Sequence, residues 1–190
     1  ASGELYLRHI PESYSSGRRK DAAKFVMITA AFEWEFHRNY PDGTKKSEAA
    51  RKAEGDATKQ LQELVDNSHG KLKSIYKFLK RLVKSDSLQS EIEQIGKDYS
   101  DIMDIFGNYL YSLSKEELIY SEVGKRLGDQ RNHFAHGDLD KDFIDLSLLD
   151  LIFLERIVYA MQLRHYNIEN SKIQNAINDL FHHHFALQQT

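Results

Sequence analysis

The sequence has no cysteine, two prolines and one tryptophan among 190 residues, and no apolar run long enough to cross a bilayer. Without cysteine there is no disulfide, no thiolate nucleophile and no cysteine-bound zinc. So little proline leaves few of the breaks that a many-turned β architecture needs, and long helices fit better. The missing apolar run argues against a membrane partner. There is no Gly-rich phosphate loop and no Gly-x-Ser-x-Gly elbow, which disfavours nucleotide hydrolases and serine esterases. A large charge of one sign is absent too. The formal net charge is -3, so a globally basic nucleic-acid binder is excluded and any phosphate site must be local. The leading residues, Ala1-Ser2-Gly3-Glu4, resemble neither a signal peptide nor a natural initiator. They suggest a piece of a longer protein whose N-terminal region is missing, with the cytoplasm as the expected compartment.

What is present points to one main domain: 41% hydrophobic content over this length is enough for a single well-buried core. The expected fold class is all-α, a helical bundle with long antiparallel helices. Residues 1–20 form a short irregular lead-in or linker, and residues 21–190 the helical domain. Residues 21–37 carry Phe25, Val26, Ile28, Phe32, Trp34 and Phe36, too many apolar groups for one stripe, which predicts a largely buried helix. Tyr40-Pro41-Asp42-Gly43 then reads as a turn. Residues 45–66 predict a helix with little to bury in its first half, interrupted at Asn67-Ser68-His69-Gly70. Beyond it, Leu72, Ile75, Leu79 and Leu82 share one helical face, while Lys73, Lys77, Lys80 and Lys84 recur along another. A solvated lysine face is the plain explanation of that second stripe; guiding RNA phosphates is the functional one.

Further on, Ile92, Ile95, Tyr99, Ile102, Phe106, Tyr109 and Leu113 keep a three-four alternation, the pattern of a long seam within the bundle or between subunits. Gly96 and Gly107 weigh against an independent coiled coil. Ser114-Lys115-Glu116-Glu117 has the composition of a capped helix start. Residues 143–167 are apolar almost all round and predict the central helix. A last helix over residues 171–187 carries His182-His183-His184. With Asp179 one turn before His183 this run invites a metal, but consecutive histidines point in different directions on a helix. A polar helix end is therefore expected, with no metal and no cofactor assigned.

The stretch richest in chemistry runs from Gly128 to Asp138 and holds Arg131, Asn132, His133 and His136 between apolar helices. Arginine supplies a fixed cationic fork for phosphate oxygens, and histidine moves protons near neutral pH; together they suit phosphodiester cleavage without a metal. Along one continuous helix Asn132 and His136 lie one turn apart, whereas Arg131 and His136 are about 140° apart. Their cooperation then needs either a helix end at Gly137 or a second copy facing the first. Arg126 and His133 form a looser pair of the same kind, but Glu122, one turn earlier, offers Arg126 an ordinary ion pair. Glu33 and Glu35 are candidates to pair with Arg131 or Arg156 and hold a site in shape, or else lie on the outer face. The structural alternative pairs Arg131 with Asp129 or Asp138 and leaves His136 bonded to a backbone carbonyl.

Arg131, Asn132 and His136, followed by Gly137 and by the helix containing Leu154-Glu155-Arg156-Ile157-Val158-Tyr159-Ala160-Met161, resemble the HEPN superfamily. The closest likeness is to Apea-like HEPN domains of bacterial abortive-infection, anti-phage proteins. It extends over residues 21–188, with its specific part at residues 131–161. The resemblance implies an α-helical homodimer with the two motifs facing each other. It also implies a metal-independent endoribonuclease that cleaves RNA, possibly tRNA, to leave a 2′,3′-cyclic phosphate. In those terms His136 is the acid-base group, Arg131 the charge stabiliser and Asn132 its support, with His133, Glu33 and Arg126 secondary. A non-catalytic helical dimerisation or RNA-binding module is the alternative.

Overall fold

The computed structural model describes residue 10, residues 19–135, residues 143–185 and residue 187. Among them are seven helices and no strand: α1 (Ala22–Asn39), α2 (Glu48–Asp66), α3 (Gly70–Lys84), α4 (Leu88–Ser112), α5 (Tyr120–Ala135), α6 (Ser147–His165) and α7 (Asn170–Leu180). The all-α bundle expected from the sequence is therefore observed. The chain divides into two compact units: residues 44–87 form one, and residues 1–43 with 88–190 form the other. Most of the expected lead-in over residues 1–20 lies outside the described residues.

In the larger unit α6 is central, packed against α1, α4, α5 and α7. It can be, because Leu151, Phe153, Leu154, Ile157, Val158, Ala160 and Met161 are all fully buried and occupy more than one face. Helix α1 starts where the Asp21 carboxylate accepts the Lys24 N–H at 2.9 Å. It buries Phe25, Ile28, Ala31, Phe32 and Phe36, yet Val26 and Trp34 remain 52% and 47% exposed. The largely buried helix read from composition is thus an amphipathic one, whose apolar excess lies on its outer face.

The long α4 keeps its seam inside the unit: Ile92, Ile95, Ile102 and Phe106 have no exposure, and only Tyr109 and Leu113 at its far end emerge. The seam ends where the chain turns. Ser114, Lys115 and Glu116 do not begin a helix; they close α4, with the Glu116 N–H donating to Tyr111 and the Lys115 N–H to Ser112. Lys115 adopts the left-handed conformation (φ 60°) that this type of helix end requires. The polar residues that look like a cap in sequence serve a C-terminus, and α5 starts later, at Tyr120. Two glycines let α4 and α5 approach closely. A Cβ on Gly96 would come within 2.5 Å of the Tyr120 ring, and one on Gly124 within 2.6 Å of the Gln89 Cα.

The smaller unit is a hairpin of α2 and α3. The Ser47 hydroxyl caps α2 by accepting the Ala50 N–H. The hairpin's open end is tied by Asp86, which accepts the Thr44 N–H at 2.7 Å and the Thr44 hydroxyl at 2.9 Å and pairs with Lys46 at 3.1 Å. Burial pushes the Asp86 carboxyl up, but those hydrogen bonds and the Lys46 charge outweigh it and hold it below the usual range. Val65 is the hairpin's single buried apolar side chain among the described residues.

Candidate active site

Helix α5 carries the motif on its last turn, and helical geometry divides its residues. Val123, Leu127, Gln130 and Phe134 are buried along one side, which leaves Arg131 and Asn132 exposed on the other. The buried residues also fix where the chain re-enters α6. The Gln130 carboxamide oxygen accepts the Ile144 N–H and the Ser147 hydroxyl, both at 2.8 Å. Phe134 and Phe143, on either side of residues 136–142, meet edge-on at 5.8 Å and both pack on Phe25. Gln130 is the residue that sequence reasoning missed: an amide beside an arginine gives no sign that it will be buried and bridge to the next helix.

The Arg131 fork is met by Glu33 of α1. Nη1 donates to one carboxylate oxygen and Nη2 to the other at 3.2 Å, a two-pronged pair whose side chains are 49% and 30% exposed. Its Nε–H is not engaged among the described residues. Asp129 is not a partner of Arg131 among the described residues, and Asp138, the other candidate, lies outside them. Glu35, two residues on, faces the core: it is fully buried, pairs with Arg38 at 2.7 Å and accepts from Gln162. Arg156 has neither glutamate. It donates to the His183 ring at 2.8 Å and to the Ile152 carbonyl, and its guanidinium lies 4.5 Å from the centre of the Phe181 ring. Burial lowers the Arg156 guanidinium to about 10.

Arg126, five residues before Arg131, has a different environment. It does not use Glu122; both Nε and Nη2 donate to Asp150 of α6 at 2.7 Å, and the Tyr111 hydroxyl joins the same carboxylate. The physical reason is burial. Asp150 is fully enclosed and needs a cation, whereas a glutamate on the surface of α5 is solvated by water. The hydrogen bonds that Asp150 accepts hold the Arg126 guanidinium protonated against its own burial. The partner of Arg126 is therefore Asp150 and not Glu122, and its fork is taken up by the core.

Asn132 lies beside Arg131 on the exposed side, and His133 is partly buried with its ring 6.2 Å from that of Phe134. His136, with Gly137 and Asp138, lies outside the described residues. The run His182-His183-His184 follows α7 rather than riding on it, with His182 and His184 in left-handed conformations (φ 53° and 59°). His183 stacks on Phe185 at 5.2 Å and turns its ring nitrogen to Arg156. No group of three or more potential metal ligands occurs among the described residues.

In the hairpin, Lys73, Lys77, Lys80 and Lys84 line an open cleft of about 780 Å³, together with Gln62, Val65, Asp66, Arg81 and Ser85. The lysine stripe read from the sequence therefore faces a groove rather than a convex surface. No family model matches the chain, and no curated protein or solved structure is significantly similar to it.

Proposed function

We propose that the chain is a metal-independent endoribonuclease whose chemistry is carried by Arg131 and His136 and supported by Asn132. The observation that carries this reading is the state of Arg131. Its guanidinium is held in place from behind by a two-pronged carboxylate, half exposed, with its Nε–H unengaged among the described residues, at the end of a helix whose opposite side is locked into the core. A cation held in that way is oriented before a phosphate arrives, which is what charge stabilisation in a transition state requires. Glu33 is its positioning residue.

In the reaction a ribose 2′-oxygen attacks the adjacent phosphorus and its proton passes to an imidazole. The bond from phosphorus to the 5′-oxygen breaks, and a proton is returned to that leaving oxygen. The products are a 2′,3′-cyclic phosphate and a free 5′-hydroxyl. One His136 per chain fills one of the two proton-transfer roles, and a homodimer with facing motifs fills both. The resemblance to Apea-like HEPN domains adds the wider setting, an RNA-cleaving effector of phage defence acting in the cytoplasm. The alternative, a non-catalytic dimerisation or RNA-binding module, is favoured by one fact: the Arg131 charge is already matched by Glu33.

The deciding experiment is cleavage of RNA by the purified protein in EDTA. Products ending in 2′,3′-cyclic phosphate are expected, with activity lost in His136→Ala while its circular dichroism stays that of the parent. Unchanged cleavage by that variant overturns the mechanism. Binding of RNA with no cleavage, including by full-length protein, supports the module instead.

A further inference from the structure

We infer that the groove between α2 and α3 is a binding track for the sugar-phosphate backbone of single-stranded RNA, read without regard to base. The inference deepens the ribonuclease reading and rests on it for the identity of the ligand; the groove itself rests on independent observations.

The first is the supply of unmatched positive charge. Gln62 bridges the cleft, accepting from Lys80 and donating to Asp66 at 2.7 Å, so the single carboxylate lining the groove is already hydrogen-bonded. Lys73, Lys77, Arg81 and Lys84 have no carboxylate partner among the described residues, and all four line the same cleft. Some exposed lysines elsewhere have carboxylate partners, such as Lys97 with Glu93 and Lys172 with Glu169, and others such as Lys59 and Lys125 have none among the described residues, so it is the clustering in one cleft that sets these four apart. Four cations left together concentrate a field that the net charge of -3 does not reveal.

The second is their spacing. At about 1.5 Å per residue, the lysines at 73, 77, 80 and 84 stand roughly 4.5–6 Å apart over about 16 Å of helix. That linear array suits consecutive phosphates of an extended strand rather than a compact anion. No aromatic side chain lines the cleft, so it offers charge and hydrogen bonds but no stacking platform. Recognition is accordingly of the backbone and not of bases.

The third separates the lysines from the apolar surface of the same helix. Helix α3 also bears an apolar stripe, Leu72, Ile75, Phe78, Leu79 and Leu82, each between 39% and 52% exposed. A basic amphipathic helix of this kind can lie in a membrane interface. At about 100° per residue, the centre of the lysine arc is roughly 165° from that of the apolar arc. The lysines therefore line the groove on the side away from the apolar stripe; an interfacial helix carries its lysines on the polar face too, so the vesicle arm of the test separates the two ligands.

The test uses the whole chain and a fluorescent 2′-O-methyl oligouridylate of about ten nucleotides, which cannot be cleaved by its own 2′-oxygen and is long enough to fill such a groove. Anisotropy titrations over a range of salt should give a log–log slope of roughly -2 to -3, as expected for three to four phosphate contacts on a single strand. The double variant Lys77→Gln/Lys84→Gln should bind about tenfold more weakly near physiological salt, with a slope about 1.4 shallower. Lys77→Arg/Lys84→Arg should recover both, which separates charge from folding. Failure of the parent to bind, or equal affinity and slope in the glutamine variant, overturns the groove. So does tighter binding to phosphatidylserine vesicles than to RNA that the glutamine variant loses. The two proposals fail separately: cleavage that persists with an unaffected groove variant sinks the groove alone, and groove-dependent binding without cleavage sinks the nuclease alone.

Discussion

Helix α5 carries two arginines five residues apart, each with a two-pronged carboxylate partner, and the partners make them different residues. Arg126 meets Asp150, which is fully buried and also holds the Tyr111 hydroxyl. Arg131 meets Glu33 at the surface, where each side chain still touches water. In the first pair the carboxylate has given up solvent entirely and depends on its arginine; in the second either group could stand alone. A geometric match between guanidinium and carboxylate is thus no guide to role. The environment behind it is: it ties Arg126 into the core and leaves Arg131 at the surface, where the proposed chemistry needs it.

Removing each arginine in turn gives the largest expected contrast. Arg126→Met keeps the aliphatic stem but strands the Asp150 carboxylate, and should destabilise the protein by about 3–5 kcal/mol, a fall in the thermal midpoint of roughly 10 °C or more. Adding Asp150→Leu should recover much of that loss, because the buried charge is then gone as well. Arg131→Met should change stability by less than about 1 kcal/mol while reducing RNA cleavage by about 10²–10³. Calorimetry beside a cleavage assay reads both. Equal destabilisation by the two single variants would erase the distinction.

A smaller effect tests what Glu33 contributes. If it orients the Arg131 fork, Glu33→Gln, which keeps the shape and loses the charge, should lower kcat about tenfold and leave KM for RNA nearly unchanged. If instead it blocks the fork, the same substitution should lower KM and leave kcat alone. Steady-state kinetics on a single-stranded substrate distinguishes the two, and the first pattern is expected because the Nε–H remains unengaged among the described residues.

The legible part of this molecule was its helical periodicity. The Ile92 to Phe106 seam and the apolar α6 could be placed from spacing alone, since burial follows the 3.6-residue repeat. Less legible was anything decided by a distant partner. Ser114 to Glu117 read as a helix start because local composition suits a cap, yet the same residues end α4 through the Tyr111 carbonyl. Arg126 and Glu122 are neighbours along α5, but Asp150 is twenty-four residues away and takes the arginine because it is buried and Glu122 is not. Trp34 and Val26 look like core residues in sequence and lie outside it. In the candidate site, Arg131 and Asn132 were recognisable from residue type, and Glu33 was one of two glutamates that spacing left equivalent. Gln130 carried no signal at all.

A third arginine sharpens the comparison by having no carboxylate partner among the described residues. Arg156 is as buried as a core residue, and its Nε–H donates to the neutral ring of His183. Burial, then the neighbouring Arg156 charge, lower the His183 imidazole from its ordinary 6.5 to about 4. The sign follows from linkage. Above about pH 6.5 neither the folded nor the unfolded chain protonates this ring, and the contact contributes fully. Between that value and about pH 4 the unfolded chain binds a proton that the folded chain refuses, so stability is lost as the pH falls. His183→Gln keeps an acceptor for Arg156 without a titrating group. The thermal midpoint of the parent should therefore drop between pH 7 and pH 5 by a few degrees more than that of the variant. Parallel curves for the two proteins would mean that His183 is protonated in the fold as readily as in water, and that Arg156 is held by Phe181 and the Ile152 carbonyl alone.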